Sequence, residues 1–257
     1  RVDTSENATK EVQELIGDAF SYPKPVSLLK YLVSLLWSTE GYDTNPLIMD
    51  FFSGSGTTAH AVMNTNLEAP NNTARYLLVQ LPEKVEGSRV TLCDVAEERI
   101  RRAGNMIKAE VEEANAQPKL GEEPKRLPDI GLRVFSLDHS GIEKPQPGQL
   151  VLDVVKPDRS DMDIVFEMML KWGLELTLPV EKEEVAGYPV YSVACGELMC
   201  CLADGLTMEA LDAIADMEPR RVLMRDSILT DTLKLNAVQA FRRVEERAGY
   251  EVQLRTV

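Results

Sequence analysis

A glycine-rich segment at residues 50–61 holds the residue types in this 257-residue sequence that are best suited to bind a ligand. It reads DFFSGSGTTAHA, with an acidic residue and two aromatic residues ahead of the glycines and hydroxyl side chains among and after them. Gly54 and Gly56 permit a sharp backbone turn and leave no side chain in the way of a ligand. A helix that begins near Thr57 would direct its free amide groups into the same space. The segment therefore predicts a binding loop for a nucleotide-like ligand.

Two kinds of nucleotide-like ligand compete for this loop. Gly54, Gly56 and Ala59 satisfy the G-x-G-x-x-A spacing of dinucleotide-dependent oxidoreductases, but that short pattern occurs in many unrelated sequences. A loop that cradles the phosphates of a nucleoside triphosphate is disfavoured, because no lysine follows Gly56. The acidic Asp50, the two aromatic residues and the Ser- and Thr-rich exit favour a cofactor with a positively charged amino-acid moiety over a pyrophosphate.

The segments around the loop predict the strands and helices that position it. The apolar run at 47–52 has the length and composition of a strand covered on both faces. Residues 57–66 predict a helix, and residues 75–81 predict a second strand. The order strand, turn, helix, strand is typical of the right-handed crossover unit of a parallel sheet. Ahead of it, residues 26–37 follow two prolines and have near-helical apolar spacing, which predicts a buried helix.

Stretches rich in proline, glycine and charge divide the remainder of the sequence. Residues 93–116 predict a helix that covers the sheet with one face and is solvated on the other. A loop separates this helix from a strand predicted at 131–137. A second such stretch at 141–148 marks a domain boundary, so we expect two domains, residues 1–148 and residues 149–257.

The second domain has the pattern of a small α/β module. Alternating apolar residues predict a hairpin at 185–194 that turns at Gly187, followed by a strand at 198–203. Thr207 is a suitable N-cap for the helix after it. The other predicted elements are helices at 162–172, 208–217 and 233–248 and strands at 221–224 and 251–257.

The cysteine and histidine residues have no spacing typical of a metal site or a nucleophile. Cys93 stands alone, and Cys195, Cys200 and Cys201 lack the paired spacing of a zinc site, so we interpret all of them as reduced core residues. His60 lies one turn into its predicted helix without a nucleophile nearby, which indicates packing rather than catalysis. We therefore expect no bound metal.

The charge and hydropathy of the sequence disfavour two classes of protein. The net charge is −14 and both halves are acidic, so neither half is predicted to bind the phosphate backbone of nucleic acid by itself. No apolar stretch approaches the roughly 20 residues that cross a bilayer, and the first residues do not resemble a secretory signal. We expect a cytoplasmic protein without a membrane partner.

Longer motifs match one protein family in the same order. DFFSGSGTTAHAV (50–62) resembles the S-adenosylmethionine motif of DNA methyltransferases that methylate amino groups, especially the modification subunits of type III restriction-modification systems. YPKPV (22–26) resembles the other cofactor motif, which precedes the glycine loop in the circularly permuted class of these enzymes. RYLLVQLPE (75–83) resembles their second strand. The further matches are LCDVAEERIRRA (92–103), GLRVFSLDHS (131–140), GELMCCLAD (196–204) and RRVLMRDS (220–227).

The resemblance implies a fold, a cofactor and a set of site residues. The fold is the Rossmann-like half-domain of an S-adenosylmethionine-dependent methyltransferase, followed by the small α/β domain. Asp50 would lie near the amino group of the cofactor, Phe51 or Phe52 would lie against its adenine or sulfonium, and the turn would wrap its methionine part. Gln80 takes the place of an acidic residue that holds the ribose hydroxyls in many methyltransferases. The implied cofactor-binding residues are Lys24, Pro25, Asp50, Phe51, Phe52, Gly54, Ser55, Gly56, Thr57, Thr58 and Gln80.

The D-P-P-Y type tetrad with which the family performs its chemistry does not occur in these 257 residues. In the permuted class the tetrad and the target-recognition segment precede this region, and the sequence starts at Arg1 without an initiating methionine, so we expect a piece of a longer protein. We expect no catalytic residue in this piece, weak or absent cofactor binding, and no methylation. If the remainder supplies strands beside residues 47–52, this piece exposes a sheet edge or an apolar face that pairs in a homodimer.

Three functions are compatible with the sequence. The resemblance favours a DNA adenine methyltransferase, with DNA as the substrate of the intact enzyme and an ATP-dependent restriction subunit as its partner. A dinucleotide-dependent oxidoreductase predicts thermal protection by NADH rather than by S-adenosylmethionine. A non-catalytic assembly module binds only a restriction subunit, and neither cofactor changes its melting.

Overall fold

Both units of the chain contain helices and strands in a computed structural model, which confirms the mixed α/β class. The structure describes residues 5–17, 23–37, 45–69, 73–85, 87, 89–116, 123–143, 154–226 and 229–257. The chain divides into two units, residues 1–135 and residues 136–257. The boundary predicted at 148/149 falls within residues 144–153, which lie outside the described ones, so it stays a prediction.

The first unit is built around a strand–helix–strand arrangement. Its two strands are parallel neighbours, with Ile48 opposite Tyr76 and Met49 opposite Leu77, and a helix connects them. This order confirms the elements predicted around the glycine-rich segment, although the second strand ends at Leu78 rather than at 81. The described elements are α1 (Ser5–Ile16), α2 (Val26–Trp37), β1 (Leu47–Asp50), α3 (Thr57–Glu68), β2 (Arg75–Leu78) and α4 (Leu92–Ala116).

The core of the first unit lies between α3, α4 and the inward-facing side of the strands. Apolar residues recur every three or four positions on α4, so one stripe of the helix faces the core. Tyr76 and Leu78 pack against this stripe from β2. On the other side of α3, Val62 packs with Val33 of α2. The buried residues shared by α3 and α4 are Ala59, Met63, Ile100, Ala103 and Ile107.

The opposite face of the two strands is apolar and exposed. Leu47, Met49 and Leu77 are 57%, 48% and 44% exposed, while their neighbours Ile48 and Tyr76 pack inward. The prediction that 47–52 is covered on both faces is therefore wrong, because the described helices that pack on these strands contact only one face. The exposed apolar face that we expected of a piece of a longer protein is present.

Residues 131–137 form no strand, which corrects the prediction made from their alternating pattern. Leu132 and the preceding Ile130 pack on the core of the first unit, and the Tyr76 hydroxyl donates a hydrogen bond to the Gly131 carbonyl at 3.2 Å. Beyond that point Leu137 is fully exposed. Alternation alone cannot make a strand, because a strand needs the backbone of a partner edge.

The second unit contains a five-stranded sheet in the order β5-β6-β7-β8-β9. The strands from β5 to β7 are antiparallel, and those from β7 to β9 are parallel. Its described elements are β3 (Ile142–Glu143), β4 (Val154–Val155), α5 (Asp161–Lys171), β5 (Val180–Val185), β6 (Tyr188–Val193), β7 (Leu198–Cys201), α6 (Met208–Asp216), β8 (Arg221–Met224), α7 (Asp231–Ala248) and β9 (Gln253–Thr256).

Helices cover both faces of this sheet. On β7, Met199 and Cys201 pack with α6 and α7, whereas Leu198 and Cys200 pack with α5, because successive side chains of a strand point to opposite faces. The elements predicted after residue 160 are present with shifts of a few residues at their ends, except that the first arm of the hairpin predicted at 185–194 is β5, which begins at Val180. Thr207 caps α6 as predicted, since its hydroxyl accepts a hydrogen bond from the Ala210 amide at 3.3 Å.

The cysteines divide between core and surface. Cys200 and Cys201 are buried, as predicted, but Cys195 is exposed, so its assignment to the core is wrong. Its left-handed φ of +56° belongs to a turn that ends the alternating pattern of β6 and directs the side chain outward. Among the residues that the structure describes, no helix has both the length and the apolar character needed to span a membrane.

Candidate functional site

The glycine turn, residues 51–56, lies between the end of β1 and the start of α3. Gly54 and Gly56 have φ angles of +52° and +75°, in the left-handed region that glycine adopts without steric cost. Gly56 is the N-cap of α3, and no side chain caps the helix there. A Cβ atom at Gly56 would lie 3.2 Å from two side-chain carbons of Ile100. Both the backbone angle and the close approach of α4 therefore require glycine at this position.

Backbone hydrogen bonds join the glycine turn to the two strand ends. The Gly56 amide donates to the Ser53 carbonyl at 2.8 Å, which closes the turn. The Ser53 amide donates to the Val79 carbonyl at 3.3 Å, and the Val79 amide donates to the Asp50 carbonyl at 2.8 Å. The turn thus sits at the carboxyl ends of both parallel strands, the edge where open α/β sheets bind their ligands.

Asp50 is the acidic residue of the site and is partly buried. One oxygen of its carboxylate accepts a hydrogen bond from the Thr58 hydroxyl at 2.5 Å, and the other accepts one from the Phe52 amide at 3.1 Å. A carboxylate has about four acceptor positions in all, so Asp50 keeps capacity for a further donor such as an ammonium group. The structure brings these three residues together, as the sequence pattern suggested.

Gln80 holds the glycine turn through its side-chain amide. The amide oxygen accepts a hydrogen bond from the Gly54 amide at 2.9 Å, and the amide nitrogen donates to the Leu81 carbonyl at 3.2 Å. Gln80 therefore contacts the site where it was predicted to lie, two residues after the end of β2. Its predicted contact with ribose hydroxyls stays a prediction.

The aromatic and basic residues of the predicted site differ in their exposure. Phe51 and Phe52 are 60% and 85% exposed, so both rings are free to stack on a ligand. Lys24 is exposed and Pro25 is buried, directly ahead of α2. That helix packs on α3, but the roles predicted for Lys24 and Pro25 remain predictions. Tyr22 of the same motif lies outside the described residues.

Arg99 is a member of the site that the sequence pattern did not reveal as one. It lies on α4 and is fully buried, yet one nitrogen of its guanidinium donates to the Ser55 hydroxyl at 2.6 Å and to the Thr57 hydroxyl at 2.7 Å. A signal was present in the sequence. Arg99 shares the four-residue spacing of Val95 and Ala103, so it occupies the apolar stripe of its helix rather than the solvated face.

His60 is buried beside this cation. Burial first, and then the positive charge of Arg99, lower the pKa of His60 to about 4. Its imidazole is therefore neutral at neutral pH, and the interpretation of His60 as a packing residue agrees with its burial.

Comparisons with known proteins point to one family. Residues 2–103 match a family described as DNA methylase, a stretch that includes the glycine turn and Arg99. Over 273 aligned positions the chain is 26% identical to the type III restriction-modification enzyme EcoP15I Mod subunit of Escherichia coli, which covers 96% of this chain. The chain is also 26% identical to the EcoPI Mod subunit of Escherichia phage P1, in an alignment that covers 98% of this chain. The StyLTI Mod subunit of Salmonella typhimurium is 33% identical over 116 residues, or 42% of this chain and 17% of that protein.

The chain spans 38% and 39% of the lengths of the first and third of these relatives. The resemblance to type III modification subunits is confirmed, since it extends over nearly the whole chain and not over the glycine loop alone. The chain is consistent with a fragment of such a DNA methyltransferase.

Proposed function

We propose, from this relation to DNA methylases, that the chain is the S-adenosylmethionine-binding part of a DNA adenine methyltransferase of a type III restriction-modification system. The observation that carries the proposal is the glycine turn, whose left-handed Gly54 and Gly56 lie at the carboxyl end of β1, close to the carboxylate of Asp50. In this proposal the first unit is one half of a Rossmann-like methyltransferase domain.

The residues present fit the methionine part of this cofactor. The amino end of α3 carries unsatisfied amide groups and the positive end of the helix dipole, which favour the cofactor carboxylate. Asp50 lies at the same edge and favours the cofactor ammonium. A pyrophosphate would place its two negative charges near that carboxylate, which disfavours a dinucleotide.

The proposed roles of the chain are binding and orientation. When bound, S-adenosylmethionine supplies a methyl group activated by its sulfonium. The glycine turn would hold the methionine part, and the exposed rings of Phe51 and Phe52 would cover the adenine or the sulfonium. Such fixed positioning is how a protein promotes a direct transfer between two bound groups.

The 257 residues contain no D-P-P-Y type tetrad to hold a flipped adenine, so we propose that this chain alone does not methylate DNA. In the intact enzyme DNA would be the substrate and a restriction subunit the partner. The exposed face of β1 and β2 would be covered there, or by a second copy of this chain.

A second candidate function is that of a non-catalytic assembly module that binds a restriction subunit. The exposed apolar pair on α7, Leu235 and Val238 at 68% and 56% exposure, favours a contact made by the second unit. This function requires no cofactor, so a cofactor titration separates it from the first.

The test is calorimetric titration of the 257-residue chain with S-adenosylmethionine up to millimolar concentration, with NADH in a parallel titration. We expect weak binding of S-adenosylmethionine and none of NADH. Asp50→Asn should weaken the binding about tenfold, because it removes a charge that faces the cofactor ammonium. Asp204→Asn, in an exposed turn three residues after β7 in the second unit, is the matched control and should bind as the wild type does. Binding of NADH alone would favour an oxidoreductase, and binding of neither, together with capture of a restriction subunit, would favour the assembly module.

A further inference from the structure

The feature that the proposed function leaves unexplained is the buried cation beneath the glycine turn. Arg99 is 0% exposed, and burying a guanidinium costs free energy unless charge-assisted hydrogen bonds replace its water. A methionine of similar length would fill the same stripe of α4 without that cost. The charge therefore calls for a role that an apolar side chain cannot fill.

The hydrogen bonds of Arg99 show where that role lies. Its Nη1 atom donates to the hydroxyls of Ser55 and Thr57, at 2.6 Å and 2.7 Å, and these two residues flank Gly56. Both distances are short, as expected when the donor is charged. Ser55, Gly56 and Thr57 are all buried. One nitrogen atom of Arg99 thus holds the residues before and after Gly56, the left-handed residue at which the turn ends and α3 begins.

We propose that Arg99 is a positioning residue that presets the glycine turn for the methionine part of the cofactor. The inference rests on the proposed function and adds a residue to it. Gly56 has no side-chain cap, and its left-handed conformation is one of several that glycine adopts at similar cost. The rigid, planar guanidinium of Arg99 favours this conformation, because it holds the hydroxyls on both sides of Gly56 in fixed positions.

The charge of Arg99 contributes in a second way. A guanidinium stays protonated at every physiological pH, and its field reaches the turn through buried, weakly screening surroundings. It therefore adds to the attraction that the amino end of α3 exerts on a carboxylate. His60, the neighbouring titratable group on α3, stays neutral at neutral pH and does not oppose this effect.

The experiment compares Arg99→Met, Arg99→Lys and the double variant Ser55→Ala/Thr57→Ala in the 257-residue chain. Arg101→Met is the matched control, because Arg101 lies on the same helix but is about half exposed and pairs with Glu97. The first measurement needs no ligand: amide hydrogen exchange of the peptide that spans the glycine turn. The second is the affinity for S-adenosylhomocysteine and for 5′-methylthioadenosine, which lacks the amino-acid part.

We expect exchange in the turn to become at least about tenfold faster in Arg99→Met and in the double variant, with no change in peptides of the second unit. Adding Arg99→Met to the double variant should accelerate exchange no further, since the same hydrogen bonds are already lost. Arg99→Lys should restore part of the protection, because an ammonium still donates to both hydroxyls. The control should exchange as the wild type does.

In the affinity measurement, Arg99→Met should weaken the binding of S-adenosylhomocysteine about tenfold and the binding of 5′-methylthioadenosine less than about twofold. A merely structural role of Arg99 would weaken both ligands alike, and that result overturns the inference. Unchanged exchange in the turn overturns it as well. If the wild type binds neither ligand while Arg99→Met still accelerates exchange, the proposed function fails and the presetting of the turn by Arg99 survives.

Discussion

The replacement of Gly56 by alanine tests the backbone of the glycine turn most directly. Two costs add at this position. A left-handed φ of +75° costs an alanine about 1–2 kcal/mol. The new Cβ would also lie 3.2 Å from the Cδ1 and Cγ1 atoms of Ile100 and 3.4 Å from the Ala96 carbonyl oxygen, so the Ile100 side chain must give by a few tenths of an ångström. Overpacking of this kind costs about 1–3 kcal/mol.

Gly249 provides a control that carries only the first cost. Its φ is +76°, almost that of Gly56, and a Cβ atom there would meet nothing within 4 Å. We expect Gly249→Ala to lose about 1 kcal/mol and Gly56→Ala about 3 kcal/mol of unfolding free energy. Replacing glycine by alanine also lowers the conformational entropy of the unfolded chain, which stabilises the folded state. This stabilisation is the same for both variants and cancels when they are compared.

The assay is urea unfolding followed by tryptophan fluorescence. The sequence contains two tryptophans, Trp37 in the first unit and Trp172 in the second, so each unit has its own probe once the other tryptophan is replaced by phenylalanine. Gly56→Ala should shift only the transition seen by Trp37, and Gly249→Ala only that seen by Trp172. Equal losses for the two variants would refute the contact with Ile100 as the cause. If Gly56→Ala loses the full expected unfolding free energy without any change in cofactor binding, the role of the turn in binding is refuted.

Buried polar groups and the exposed sheet face allow three more tests. Asn66 donates to the Ala74 carbonyl and accepts from the Ala74 amide, both at 2.9 Å, so Asn66→Ala should cost about 2 kcal/mol in the Trp37 transition, and an unchanged midpoint would contradict this. The pKa of His60 falls from 6.5 to about 4 on folding, so the unfolded chain binds the proton more readily and stability is lost as pH falls through this range. By pH 5 the loss is about 2 kcal/mol, and His60→Gln should abolish that difference between urea midpoints at pH 7 and pH 5. Leu77→Lys should reduce self-association in sedimentation experiments, because it places a charge in the exposed face of β2, whereas Leu235→Lys on α7 should not; equal effects would remove this face as the contact.

The elements that sequence patterns predicted well are those that short-range chemistry specifies. The helix after Thr207 depends on a hydroxyl within hydrogen-bond reach of an amide three residues later. The turn at Gly54 and Gly56 depends on the conformational freedom of the glycines themselves. Predictions that needed knowledge of neighbours were wrong. Residues 131–137 form no strand, because no described strand edge pairs with them. The apolar run of β1 is exposed on one face, because no described helix covers that face.

The sequence by itself determined the glycine turn, its acidic residue and the apolar stripe of α4, since each follows from residue type and spacing over a few positions. Only the tertiary structure decided what the stripe meets. Arg99 reaches Ser55 and Thr57 across 44 and 42 residues of chain, and Gln80 reaches Gly54 across 26. Such contacts depend on how helices pack on strands, which no local periodicity encodes. Packing therefore brings a buried guanidinium and a strand-end amide to the same turn and holds its glycines in one conformation.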